Sequence, residues 1–288
     1  MAVYDRAYRG YEGPVSPAWS RFLILPRHAY QRLFASKLFT GFFAMCFLWP
    51  IVCLVFVYLR HNLRVLEGMG ISAAELFPVN ARFFLVFLTV QGFLSFFLSA
   101  AIGPSLVSPD LVNNGLPLYL CRPFSRTEYV AGKGAVLAVL LSAVTWVPGL
   151  LLVLVQASME KGWLAAHARI PGALFLSSWV WILLLSVASM AISAHVRRAM
   201  LARLVLILLF FMSAGLAAAV NDVLDTRWGF LLCPLELIRT VWLGLLEPGL
   251  LTQLAELPLW SAWAGLGVLC GICLLLLRRR LRAYEVVR

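Results

Sequence analysis

Six long stretches of the chain contain no Asp, Glu, Lys or Arg: 38–59, 83–107, 134–157, 173–195, 204–220 and 258–277. A helix needs about 20 consecutive apolar residues to cross about 30 Å of hydrocarbon. Five of the stretches are that long, and 204–220 is open to extension at either end. The pattern predicts an all-α polytopic membrane protein with six transmembrane helices. Pro50, Pro104 and Pro148 lie in or near the ends of these spans. Kinks are tolerated there when neighbouring groups satisfy the freed carbonyls.

The polar intervals carry the rest of the architecture. Residues 1–20 are rich in Tyr, Arg, Gly and Pro and read as a tail without a packed core. They show no apolar run of the signal-peptide kind, so the first span is expected to direct insertion. Over 21–37, Pro26 can open a helix, and Ala29, Tyr30, Leu33 and Phe34 recur at helical spacing. Arg27, Arg32 and Lys37 can reach lipid phosphates from such a helix. This predicts an interfacial helix, the alternative being an extension of the first span. Residues 38–288 then form the six-span domain.

Between the second and third spans lies 108–133, the longest hydrophilic interruption on its side. Ser108, Pro109 and Asp110 resemble the start of a short helix, which Gly115 and Pro117 end. Ser125 and Glu128 have capping-box spacing, so a second helix is expected from there into the third span. The 221–257 interval is long and apolar. Leu235, Ile238, Val241, Trp242 and Leu245 recur at helical spacing before Pro248-Gly249. Two short helices are expected there, lying at the membrane face or dipping into it.

Composition changes the picture in two ways. The chain is 62% hydrophobic and 13% charged, against about half and about a quarter for a soluble domain. The net charge of +11 does not point to nucleic acid, because the basic residues flank apolar runs. Seventeen Lys and Arg lie in residues 1–37, 108–133, 196–203 and the C-terminal segment, and seven in the other three intervals. By the positive-inside rule both termini are expected in the cytoplasm. Arg278, Arg279, Arg280 and Arg282 would anchor the last span at the anionic leaflet.

The chemistry-bearing residues are sparse. Gly132-Lys133-Gly134 lacks the earlier glycine and the following Ser or Thr of a phosphate loop. His28, His61, His167 and His195 fall in four different segments, without H-E-x-x-H. The spans hold no charged residue, which argues against an ion-coupled transporter. Cys270 and Cys273 match C-x-x-C but sit inside a span, and Cys46 and Cys53 read as small packing residues. Gly267 with Gly271, and Ser95 with Ser99 and Gly103, form small-residue ridges for a neighbouring span or a second copy.

The 109–133 stretch carries a resemblance. An acid at Asp110, an apolar pair, Tyr119-Leu120, Arg122-Pro123, Ser125-Arg126, Tyr129 and Gly132-Lys133 occur in the order seen in the first cytoplasmic loop of ATP-binding-cassette (ABC) exporter permeases of type 2. The chain has Asn113, Asn114 and Gly115 where many members carry further charges. The resemblance implies a non-catalytic permease subunit in a bacterial inner (plasma) membrane, with no cofactor of its own. ATP and magnesium would sit on a separate ABC ATPase subunit, and a second copy or a homologous permease would complete the assembly. Besides the lipid bilayer, these are the partners implied. It also implies an elbow helix before the first span and short external helices before the last. The loop would dock on the ATPase as a coupling helix, with Leu116, Leu118 and Tyr119 as buried anchors. Asp110, Asn113, Asn114, Arg122, Pro123, Ser125, Arg126, Tyr129 and Lys133 would complete that surface. A membrane-embedded enzyme or assembly factor without an ATPase partner is the alternative, and it requires a polar cluster at one membrane depth.

Overall fold

The computed structural model describes residues 24–62, 77–113, 126–196 and 198–282. Among these residues the secondary structure is helical, without strands. Six helical segments are long and apolar enough to cross a membrane: Lys37–His61, Ala81–Asp110, Thr127–Met159, Arg169–His195, Ala199–Leu224 and Leu259–Arg280. The chain is therefore a multi-pass membrane protein. Each span overlaps the run free of charge that predicted it. The short run at 204–220 grows into a 26-residue helix.

Helix α1 (Ile24–Phe34) is separate from the first span. The chain turns at Ala35, and the Ser36 hydroxyl caps the next helix through the Phe39 N–H at 3.5 Å. The first span is two helices, α2 (Lys37–Met45) and α3 (Leu48–His61). Pro50 accounts for the interruption: it has no N–H to give to the carbonyl of Cys46, four residues earlier. That carbonyl accepts instead from the fully buried Gln91 amide, at 2.9 Å. Gln91 belongs to α4 (Ala81–Val112), which starts with Asn80 accepting from the N–H groups of Arg82 and Phe83.

The third span is also divided, into α5 (Arg126–Val144) and α6 (Trp146–Met159). Thr145 lies at the division, three residues before Pro148, and its hydroxyl turns back to Leu141 O at 2.7 Å. A short helix, α7 (Trp163–Ala166), leads into α8 (Arg169–His195). Then follow α9 (Ala199–Leu224), a 3-10 segment (Trp228–Leu232), α10 (Pro234–Leu246), α11 (Pro248–Leu254) and α12 (Leu259–Arg282).

Helix α8 is the axis of the bundle. It packs on α4, α5, α6, α9, α10 and α12. Its most apolar window is 61% buried, against 17% for α9 and for α12. Small residues allow the approach. A side chain at Gly103 on α4 would lie 2.5 Å from Ser189 Cβ on α8. The Ser95, Ser99 and Gly103 ridge thus faces the neighbouring span α8, and all three positions are buried. Gly267 and Gly271 on α12 have open space beside them.

The interval after α9 is folded into the bundle. Nine of the thirteen residues of α10 are buried, among them Ile238, Val241 and Trp242. The apolar face of α10 meets protein, chiefly α8 and α12. Cys233 is 3% exposed just before α10.

Candidate functional site

One end of the bundle gathers a polar cluster from α4, α5 and α8. The Lys133 ammonium meets Asp110 Oδ2 at 2.9 Å, and the Tyr129 hydroxyl donates to the same oxygen at 2.8 Å. Tyr129 and Lys133 are one helical turn apart, so one face of α5 presents both to the end of α4. The Lys133 ammonium also lies 5.7 Å from the centre of the Tyr129 ring. Tyr129 is 2% and Lys133 8% exposed. At that burial the pair is held by geometry, since losing one partner leaves a poorly solvated charge.

This clamp closes the base of the 113–125 connection. Helix α4 ends at Val112, with the Asn113 N–H bonded to Pro109 O at 3.0 Å, and α5 begins at Arg126. Of the loop residues predicted to form a partner surface, Asp110, Tyr129 and Lys133 come together, and Asn113 is exposed beside them. Arg126 is the first residue of α5. Asn114, Leu116, Leu118, Tyr119, Arg122, Pro123 and Ser125 lie outside the described residues.

Ser108 differs from expectation. No new helix starts at Ser108-Pro109; α4 continues through both to Val112. Its hydroxyl donates to Val196 O at 2.8 Å and Ser193 O at 3.0 Å. The reason is tertiary. The Ser193 hydroxyl of α8 accepts from the Ser108 N–H at 2.9 Å and donates to Pro104 O at 2.9 Å. Those two backbone groups are four residues apart and would pair with each other in an uninterrupted helix. A side chain thus enters the ladder of α4 between Pro104 and Pro109. Ser193 and Gln91 are site residues that the charge-based reading of the spans passed over. In sequence each lies far from the proline whose neighbouring backbone group it serves, Gln91 from Pro50 and Ser193 from Pro104 and Pro109.

Against this end lies a cavity of about 590 Å³ between α1, the start of α2, α4 and α9. Asp110 and Lys133 form part of its wall, with Arg32 and Arg203. Helix α1 is held on α5 by the Tyr30 hydroxyl, 3.5 Å from the carbonyls of Ala135 and Val136.

The opposite end has a cavity of about 580 Å³ lined by α4, α8, α9, α10 and α11. Its walls are mainly aromatic and aliphatic, including Phe93, Phe96, Phe211, Trp181 and Trp242. Trp181 Nε1 donates to Ser95 Oγ at 2.9 Å, and Trp242 Nε1 to Ser177 O at 3.0 Å. Arg239 is the charged residue of the lining, bound to Glu236 at 2.9 Å and to Leu254 O at 2.9 Å. Among the described residues, no three His, Cys, Asp or Glu side chains are grouped to hold a metal.

No protein-family model matches the chain, and no curated protein is significantly similar to it.

Proposed function

We propose that this chain is the membrane-spanning permease subunit of an ATP-driven ABC exporter, paired with a second permease and with separate ATPase subunits. The observation that carries the reading is the Asp110–Tyr129–Lys133 clamp. It joins both limbs of the predicted coupling loop, so a force on 113–125 reaches α4 and α5 together. The Ser108–Ser193 bonds pass the same force to α8. Rigid-body movement of packed helices is a known way to turn such a force into a change of access. In this scheme Asp110, Tyr129 and Lys133 position the loop, while Leu116, Leu118, Tyr119, Arg122 and Arg126 meet the ATPase.

Two further features support it. Lys133 is inside a helix and paired to an acid, which is not the arrangement of a phosphate loop, so hydrolysis falls to the partner. The apolar cavity at the other end suits a hydrophobic cargo. By the positive-inside rule the clamp is expected on the cytoplasmic side.

The test is co-expression with a cognate ABC ATPase. Tyr119→Ala and Arg122→Ala should reduce ATPase co-purification, or uncouple hydrolysis from transport, at matched expression. Loss of one such anchor commonly costs about 2 kcal/mol or more, a fall of about thirtyfold in affinity. Arg9→Ala in the tail should be nearly neutral. If both loop variants match the tail control, or if the isolated chain hydrolyses ATP, the reading fails. In intact cells an impermeant thiol reagent should modify Lys161→Cys and spare Arg198→Cys; the reverse pattern would put the clamp outside.

A further inference from the structure

The cavity beside the clamp has a charge pattern that the permease reading does not use. Its lining includes Arg32 from α1, Arg203 from α9, and Lys133 with Asp110. Lys133 and Asp110 neutralise each other at 2.9 Å. Arg32 and Arg203 make no ion pair among the described residues. Arg32 and Arg203, exposed residues of different helices, therefore line one space of about 590 Å³, well within the size range of small-ligand sites. His28 is the remaining titratable group of the lining.

The other walls are apolar: Leu33, Phe39, Phe42 and Leu106 line the same space. Leu38, also in the lining, is 88% exposed on the first turn of the first span. An apolar residue so exposed on a membrane span meets lipid, so the cavity opens sideways toward the bilayer at the level where α1 joins the span. Guanidinium groups bind phosphate oxygens two at a time. Basic pockets between membrane helices are suited to anionic lipid headgroups.

The geometry points to a binding site for an anionic phospholipid in this cavity, with its phosphate between Arg32 and Arg203 and its first acyl segment along Phe39 and Phe42. Phosphate supplies the acceptors that the two arginines lack. The acyl segment covers a wall that a free inorganic anion would leave wet, which is why a lipid and not a soluble phosphate is the occupant. Such a lipid would bridge α1 and α9. The site stands on the membrane location of the chain and does not depend on an ATPase partner.

Native mass spectrometry of the purified full chain, exchanged into detergent with equal phosphatidylglycerol and phosphatidylcholine, tests this. The wild-type protein should retain phosphatidylglycerol preferentially, and millimolar inorganic phosphate should not displace it. Arg32→Gln with Arg203→Gln should lower that preference about twenty-fivefold, at roughly fivefold for each basic residue at a membrane surface. Lys161→Gln with Arg227→Gln removes the same charge at the opposite end and should leave it unchanged. Ala101→Trp fills the cavity without altering charge and should also abolish retention. Size-exclusion profiles show which variants remain folded, and the wild-type lipid preference is measured without any variant. Equal retention of both lipids by the wild type would overturn the proposal. So would displacement by phosphate, or an unchanged preference in both the arginine pair and Ala101→Trp.

Discussion

At the end of the bundle where α1 lies, helices are joined by an ion pair, a phenol and two serine hydroxyls. At the other end they are joined by indole rings set against glycine and serine. Trp242 illustrates the second kind: a side chain at Gly92 would come within 2.5 Å of its ring, and its ring centre lies 5.8 Å from that of Trp181. Inside a bilayer, helices are held mainly by van der Waals fit, because lipid is as apolar as the side chains. Fit of this sort is lost when helices shift by a fraction of an ångström. Hydrogen bonds and ion pairs near the membrane face can be exchanged for water or for other partners during a movement. The aromatic end therefore resists displacement, and the polar end can yield and re-form.

Removing the aromatic plug should have the largest effect. Trp242→Ala leaves a ring-sized hole among α4, α8 and α10, where emptying a Trp site costs about 3–5 kcal/mol. A fluorescence melting curve in detergent should show a clear loss of thermal stability, and protease should cut earlier in 233–257. If the melt is unchanged, α10 is not a structural plug and the contrast between the ends collapses.

The polar end should respond differently to single and paired changes. Lys133→Met alone leaves Asp110 part-buried with only Tyr129 described as a partner. Breaking a fully buried pair costs about 3–5 kcal/mol, whereas replacing both charges is often neutral. Asp110 remains 19% exposed in its side chain, so a loss of about 2 kcal/mol is expected for Lys133→Met. Asp110→Asn with Lys133→Met should recover much of it in the same melting assay. Additive losses in the double variant would mean that the two residues act independently.

The smallest expected effect sharpens the comparison from within the bundle. Gln91→Leu removes the donor to Cys46 O, and an unsatisfied buried acceptor costs about 1–3 kcal/mol. Its own Oε1 has no partner among the described residues, which offsets part of that cost, so about 1 kcal/mol is expected. A Gln91→Leu variant that melts like the wild type would show that the amide donor is dispensable.

The spans were legible because exclusion of charge from hydrocarbon is a strong and local rule. Their boundaries moved outward by a few residues, as at α9, since helices continue past the last apolar residue. The break in the first span was half legible: Pro50 marked it, but the partner at Gln91 lies 45 residues away and only folding brings it near. For α10, Leu235, Ile238 and Val241 give one amphipathic pattern whether the apolar face meets lipid or protein. Packing against α8 and α12 decides in favour of protein. At Ser108 the local signal of Ser-Pro-Asp was overruled by the hydroxyl of Ser193. In the clamp, all three residues stood in the sequence, and what it lacked was that they face one another.

The bond between Gln91 and Cys46 also bears on how the protein is made. The first span emerges from the ribosome well before α4, with one carbonyl that its own helix cannot satisfy. Gln91 arrives later, carrying an amide that is unwelcome alone in hydrocarbon. Each span enters the membrane at a disadvantage that the other removes. The two are thus most favourably accepted as a hairpin, and the order of translation supplies the partner for the first unpaired group as the second is delivered.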